Sequence, residues 1–213
     1  MFFFNPTCKM KYVYIYRPIV IIMDRLSVED ISQLQQKVAE QRDERSYRKL
    51  FIHFHRQLTG FARDFVRSEE TAEEIVSDVM LKIWTMRIEL LRVENLKLYL
   101  YRAVRNTALN HIDRNKTIET LDFDTIEINL QTGIYGSPED QLLDQEFREK
   151  VMHAISLLPP KCQMVYKLVR EDGFSYREVG EILGISTKTV DRHLNNALHK
   201  LIASVEPYLR PRS

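Results

Sequence analysis

Over most of this chain apolar residues recur every three or four positions, the period of amphipathic helices. The stretch "YRKLFIHFHRQLTGFARDFV" carries Leu50, Phe51, Phe54, Leu58, Phe61 and Phe65 on one wide stripe. In "SEETAEEIVSDVMLKIWTM" the buried side is Ile75, Val76, Val79, Met80 and Ile83. That helix is predicted to start at Ser68, with Glu69 and Glu70 in the first turn, where carboxylates suit the positive end of the helix dipole. "NLKLYLYRAVRNTALNHIDRNK" follows, with Leu100, Val104, Ala108 and Ile112 at four-residue steps. Upstream, "SVEDISQLQQKVAEQ" opens with Ser27 three residues before Asp30, a relative of the capping box. The pattern predicts an all-α fold.

The same period returns near the C-terminus in two shorter segments. Ser175 and Glu178 form a capping box, Val179, Ile182 and Leu183 give one buried side, and Gly184 is a C-terminal stop. Ser186 or Thr187 then caps a second helix, buried through Val190, Leu194, Ala197, Leu198 and Leu201. Two helices joined by so short a turn predict a helix-turn-helix. Ser186, Thr187, Lys188, Thr189, Asp191, Arg192 and Asn195 are left outside the stripe, at the start of the second helix. In such a motif these positions meet base edges in the major groove. Arg pairs with guanine and Asn with adenine, whereas Lys188 and the helix start suit phosphate. A plain helical hairpin with a solvated face is the bland alternative. The capping box, the glycine stop and the basic polar face together favour DNA.

Charge changes the picture through its distribution. The 213 residues carry a net charge of only +1. Between Thr117 and Phe147 there is no Lys or Arg, while Glu119, Asp122, Asp124, Glu127, Glu139, Asp140, Asp144 and Glu146 all fall there, with Gly133, Gly136 and Pro138. This predicts an acidic flexible linker over 117–137 and a new helix with Ser137 as N-cap and Pro138 at its first position. Two small helical domains follow, 25–116 and 138–206. The first 24 residues form an extension with a short strand-like alternation around Tyr12 to Tyr16 and no signal-peptide pattern. That extension is untranslated (with the start at Met23), disordered, or a docking segment for another protein.

Candidate chemistry is sparse. Cys8 and Cys162 are far apart and match no metal spacing, which points to a reducing compartment. His53 and His55 are two apart and point to different helix faces. No Walker loop, no H-E-x-x-H and no nucleophile with paired carboxylates is present. The expectation is a protein that is not an enzyme, with no cofactor, no metal and no small-molecule substrate.

The run "LPPKCQMVYKLVREDGFSYREVGEILGISTKTVDRHLNNALHKL" resembles the C-terminal domain of bacterial RNA polymerase sigma factors, nearest to the extracytoplasmic-function (ECF) class. The first domain agrees independently. "TAEEIVSDVMLKIW" resembles the family's polymerase-docking segment, and "YLYRAVRNTALNHIDR" its promoter-melting helix. Gly180 stands where the family usually has Ala, which predicts a slightly weak scaffold helix. The resemblance implies a cytoplasmic transcription initiation factor. It binds core RNA polymerase and promoter DNA, both as duplex and as the melted non-template strand. The first domain, like sigma region 2, reads the downstream (−10-like) element, and the helix-turn-helix, like region 4, reads the upstream (−35-like) element. By resemblance, Asp78, Leu81, Lys82, Trp84 and Thr85 contact polymerase, and an anti-sigma protein, usually membrane-associated in this class, is a further partner. On the melting helix Arg102, Arg105, Asn106, Asn110 and Arg114 share the face opposite Leu100, Val104 and Ala108, beside Tyr99 and Tyr101. Arginines for phosphate and aromatics for unstacked bases are what single-stranded DNA needs, whereas either tyrosine taken alone is better read as core packing.

A stand-alone regulator that binds duplex DNA as a dimer is the alternative reading. Its requirement for a dimerisation or ligand-sensing domain finds no signal in the first 116 residues. The linker also speaks against it. Fully extended it reaches ~70 Å, against about 25 Å as a random coil, so two promoter elements are held at fixed spacing only when a third body orders the domains.

Overall fold

A computed structural model describes residues 26–66, 68–114 and 145–209. The first 24 residues, the 117–137 stretch and the helix start expected at Ser137 lie outside the described residues. All described regular structure is helical.

Four helices build the first half: α1 (Val28–Gln41), α2 (Glu44–Val66), α3 (Glu69–Met86) and α4 (Leu96–Arg114). Local chemistry sets their ends. Ser27 and Asp30 make a reciprocal capping box, each side chain accepting from the other's backbone N–H at 3.0 Å. Asp43 accepts from the Ser46 N–H at 3.1 Å at the head of α2, and Ser68 from the Thr71 N–H at 3.2 Å at the head of α3. Asn95 starts α4 by accepting from the Leu98 N–H at 3.0 Å. Between α3 and α4 runs a 3-10 segment, Arg87–Arg92. Its exit is held by a residue the hydrophobic pattern does not mark. The buried Gln35 amide of α1 donates to both the Leu90 and Val93 carbonyls at 2.8 Å. It thereby satisfies turn carbonyls that are otherwise costly to leave without a partner.

The second half is α5 (Gln145–Ser156), α6 (Pro160–Tyr166), α7 (Tyr176–Leu183) and α8 (Thr187–Leu209). Pro160 opens α6, where its missing N–H loses no bond. A π-helical run, Lys167–Glu171, continues α6 and ends before Gly173 at φ 74°. The capping box at Ser175 and Glu178 is formed, and Gly184 ends α7 in the left-handed region at φ 69°. Ser186 is the cap of α8, accepting from the Thr189 N–H at 3.1 Å.

Gly180 has a role that its helix propensity does not reveal. A Cβ there would stand 2.8 Å from the Ile185 carbonyl oxygen. The Ile185 N–H in turn donates to the Gly180 carbonyl at 3.0 Å. The glycine lets the turn fold back onto its own helix, so the weakness expected of α7 is exchanged for a tighter turn.

One buried core runs through α1 to α4 and onward into α6, α7 and α8; a smaller cluster joins α5, α6 and α8 through Ala154, Ile155, Leu158, Cys162, Ala197 and Leu201. The two halves therefore share apolar surface, with α7 seated against α4.

Candidate nucleic-acid and polymerase interfaces

The first two turns of α8 lie open. Val190, Leu194 and Ala197 are fully buried beneath them, while Ser186, Thr187, Lys188, Asp191, Arg192 and Asn195 are exposed and Thr189 is half-buried. The polar bonds recorded on this face are local. Ser186 and Thr189 share a hydroxyl contact of 2.8 Å, and the Asn195 amide donates to Asp191 at 3.1 Å. Below the face, Cys162 lies 3.5 Å from His193 Nδ1, and burial pushes its thiol pKa up, which leaves it unreactive.

On α3, Asp78, Leu81, Lys82 and Thr85 share one exposed face at three- and four-residue steps, and Leu81 is 55% exposed. The Thr85 hydroxyl turns back to donate to the Lys82 carbonyl at 2.9 Å. Trp84 is half-buried. Its ring packs 5.0 Å from Tyr47, with the Arg42 guanidinium 5.4 Å from its centre. Those contacts brace α3 against α1 and α2.

The α4 face differs. Arg102, Asn106 and Asn110 are exposed, Arg105 is half-buried, and Arg114 closes the helix. Tyr99 is half-buried, its hydroxyl 3.5 Å from the Met86 sulfur. Tyr101 is not on this face. It is 1% exposed, packed 5.0 Å from Phe61 and 4.9 Å from Phe174, so in this arrangement it is core rather than a platform for bases. Its position falls beside Val104 and Ala108 on the buried stripe, which explains the difference.

Sequence reasoning missed the residues that meet α4 from the second half. Asn95 donates to Glu178 at 3.0 Å, Lys97 donates to the Asp172 carbonyl, and the Lys97 ammonium lies 4.6 Å from the centre of the Phe174 ring. Arg102 pairs with Glu181 at 3.7 Å, and the Arg105 guanidinium lies against Gly184, 3.0 Å from where a Cβ would stand. Deeper in the seam, Lys167 reaches Asp64 at 4.0 Å. Burial raises the Asp64 pKa to about 7, because an ion pair at that distance does not offset the loss of water around the carboxylate. Glu178 and Gly184 had sequence signals only as a cap and a stop, and Phe174 as an apolar residue just before the Ser175 cap, the place of a hydrophobic staple; none marked a contact with α4.

Comparison with known proteins supports what the two helical halves suggest. The sigma-70 region 2 model matches residues 50–118, and the sigma-70 region 4 model matches residues 148–201. The ECF RNA polymerase sigma-E factor of Escherichia coli (strain K12) is 24% identical over 174 residues, 79% of this chain and 91% of that protein. The RNA polymerase sigma-H factor of Pseudomonas aeruginosa is 23% identical over 193 residues, 87% of this chain and 98% of that protein. Among solved structures, CnrH in complex with the cytosolic domain of CnrY shares the fold, with a TM-score of 0.50 at 18% identity over 84% of this chain and 98% of that one. The chain belongs to the sigma-70 family, in its ECF class. It is a transcription initiation factor that directs RNA polymerase to promoters, and its family is not one of enzymes.

Proposed function

We propose that the two halves divide promoter recognition between them. The observation that carries this is the open start of α8, a capped helix N-terminus presenting Lys188, Arg192 and Asn195 over a fully buried underside. Ser186, Thr187, Lys188, Thr189, Asp191, Arg192 and Asn195 meet the upstream element. Arg192 and Asn195 read bases, while Lys188 and the helix start hold phosphate. Arg102, Arg105, Asn106, Asn110 and Arg114 follow the melted strand of the downstream element, with Tyr99 as the aromatic beside them. Tyr101 acts as the buried brace of that helix. Asp78, Leu81, Lys82 and Thr85 dock on core polymerase, and Trp84 braces the docking helix. The domains run over 25–116 and 138–206, joined by the acidic 117–137 linker, which repels DNA and passes along polymerase.

The protein works in the cytoplasm beside polymerase, performs no catalysis and is held in check by an anti-sigma protein. The last point rests on likeness to CnrH, whose structure is a complex with the cytosolic domain of CnrY. Among the described residues no helix is long and apolar enough to cross a membrane, and no group of three or more His, Cys, Asp and Glu is placed to hold a metal.

The test is order of binding. The purified chain should co-elute with core polymerase, and only that complex should hold and transcribe promoter DNA. The free chain should bind duplex weakly, with a shallow salt dependence, because few cations face it. Nanomolar duplex binding by the free chain at physiological salt, without polymerase, would overturn this division in favour of a stand-alone regulator.

A further inference from the structure

One side chain of α1 reaches the entry of the DNA-facing helix α4. We propose that Gln35 is a positioning residue for promoter reading. By holding the turn that leads into α4, it fixes how that helix presents Arg102, Asn106 and Asn110 to the downstream element. The inference rests on the assignment of the α4 face given above.

The direction of α4 is decided where the chain enters it. The chain leaves α3 through the 3-10 segment and turns between Leu90 and Val93, where the Val93 N–H donates to the Leu90 carbonyl at 3.1 Å. Two residues later Asn95 caps α4. Gln35 pins that turn from another helix. Its Nε2 carries two hydrogens, enough for one to each of the Leu90 and Val93 carbonyls, both at 2.8 Å. These bonds span 55 and 58 positions of sequence, so they tie the turn to α1 and not to its own neighbours.

The residue type supports this role. Gln35 is 7% exposed, and Leu34, Val38 and Ala39 around it on α1 are buried and apolar. Burial alone favours an apolar side chain there, because an amide out of water is costly unless it is hydrogen-bonded. A methionine would fill the same length but offer the two carbonyls nothing. The amide therefore serves the turn and not α1.

Packing alone would leave α4 less well aimed. Apolar burial is non-directional, so the buried Leu96, Leu100 and Val104 keep α4 on the core without fixing its tilt. Hydrogen bonds are directional, and Gln35 supplies two at the entry. The leverage is large: a tilt of about 5° there displaces Asn106, ~16 Å along the axis, by ~1.4 Å. A shift of that size is enough to break a hydrogen bond to a base edge.

The test compares two changes on α1. Gln35→Met keeps the length and removes both donors. Val38→Ala truncates a fully buried residue one turn on and leaves the turn's bonds in place, so it reproduces a loss of stability without a loss of positioning. Each full-length variant is assembled with core polymerase. Transcription is then read from two promoter libraries, one randomised in the downstream element and one in the upstream element. Asn106→Ala, on the α4 face itself, is run alongside.

Gln35→Met should lower the ratio of preferred to disfavoured downstream base roughly tenfold. It should keep the upstream preference and co-elute with polymerase as the unaltered chain does. Val38→Ala should lower the melting temperature and keep both preferences. With Asn106→Ala blurring the downstream preference, a Gln35→Met variant that keeps it would overturn the positioning role. An equal loss in Val38→Ala, or a loss spread evenly over both elements, would do the same. An Asn106→Ala variant that keeps the downstream preference would instead overturn the α4 assignment, and the positioning role with it. If Gln35→Met does not fold, Gln35→Asn takes its place. It retains the amide one methylene short of the turn and should blur the same downstream preference by a smaller factor; an unchanged preference there counts against the role.

Discussion

The polar faces of α4 and α8 carry similar chemistry, basic side chains and asparagines above a buried apolar stripe, and the fold treats them oppositely. The α8 face is open, and the polar bonds recorded on it stay within its own first turns. The α4 face meets the other half through Asn95, Lys97, Arg102 and Arg105. A polar helical face is therefore no guide to whether it meets solvent. The deciding factor is what packs against the neighbouring stripe, and beside α4 that is Phe174, seated on Tyr101.

The contrast breaks most readily at Tyr101. Tyr101→Ala removes a wholly buried ring that touches Phe61 within the first half and Phe174 across the seam. It should cost about 3–5 kcal/mol, the range of large aromatic truncations in cores. Tyr99→Ala, at a half-buried ring, should cost much less, and denaturant titration separates the two. Equal losses would show that Tyr101 is not core in solution.

Next in size is Asp64. Its pKa is raised from 3.8 to about 7 in the folded chain, first by burial, against the opposing pull of Lys167 and Arg63. The folded state then holds a proton that the unfolded state releases. This group's contribution is therefore harmless below 3.8, worsens as pH rises between the two values, and is a full penalty above about 7. Asp64→Asn should stabilise the chain by on the order of 2–4 kcal/mol at pH above 7 and by almost nothing below 3.8. Thermal melts across that range check it. A constant offset at all pH values would mean that the carboxylate is not the source.

On the open face the expected effects are smaller and concern specificity. Arg192→Ala should relax the preference at one position of the upstream element by about 1–3 kcal/mol, and Lys188→Ala should weaken binding evenly across sequences. Selection on a randomised promoter library, using the polymerase-bound form, distinguishes them. Uniform loss in both would show the base-reading face misassigned.

Helices α1 to α4, α7 and α8, the caps at Ser27, Ser68, Ser175 and Ser186, and the helix-turn-helix were legible in the sequence, because they follow from period and local hydrogen bonding. So was the exposed face of α8, since its own stripe settles which side is out. The seam was not. Asn95–Glu178 and Lys167–Asp64 join residues far apart in the chain, and nothing local to either marks it for the other. Gln35 was missed for the same reason. A glutamine inside an amphipathic helix looks like surface until the turn it clamps is placed beneath it. Tyr101 is core, as its spacing to Val104 and Ala108 favours for that tyrosine taken alone; only the pairing with the arginine face had suggested a place beside DNA.

The finest adjustment concerns Asp191, an acid on a face meant for DNA. Its carboxylate accepts one hydrogen from the Asn195 amide at 3.1 Å. That leaves the Asn195 carbonyl oxygen and its second N–H for the adenine N6 and N7 pair. Asp191 thus aims the carboxamide, and its charge is the accompanying cost at the phosphates. An i,i+4 pair of this kind contributes only about 0.2–0.5 kcal/mol to a helix, so Asp191→Ala should leave the melting temperature almost unmoved. Removing the acid should tighten binding to all sequences slightly, while freeing the Asn195 rotamers should blur the preference at its base. The two effects separate in one experiment, because affinity for scrambled duplex rises as the ratio of cognate to scrambled binding falls. A variant that gains affinity and keeps the full ratio would show that Asn195 is aimed by the backbone alone.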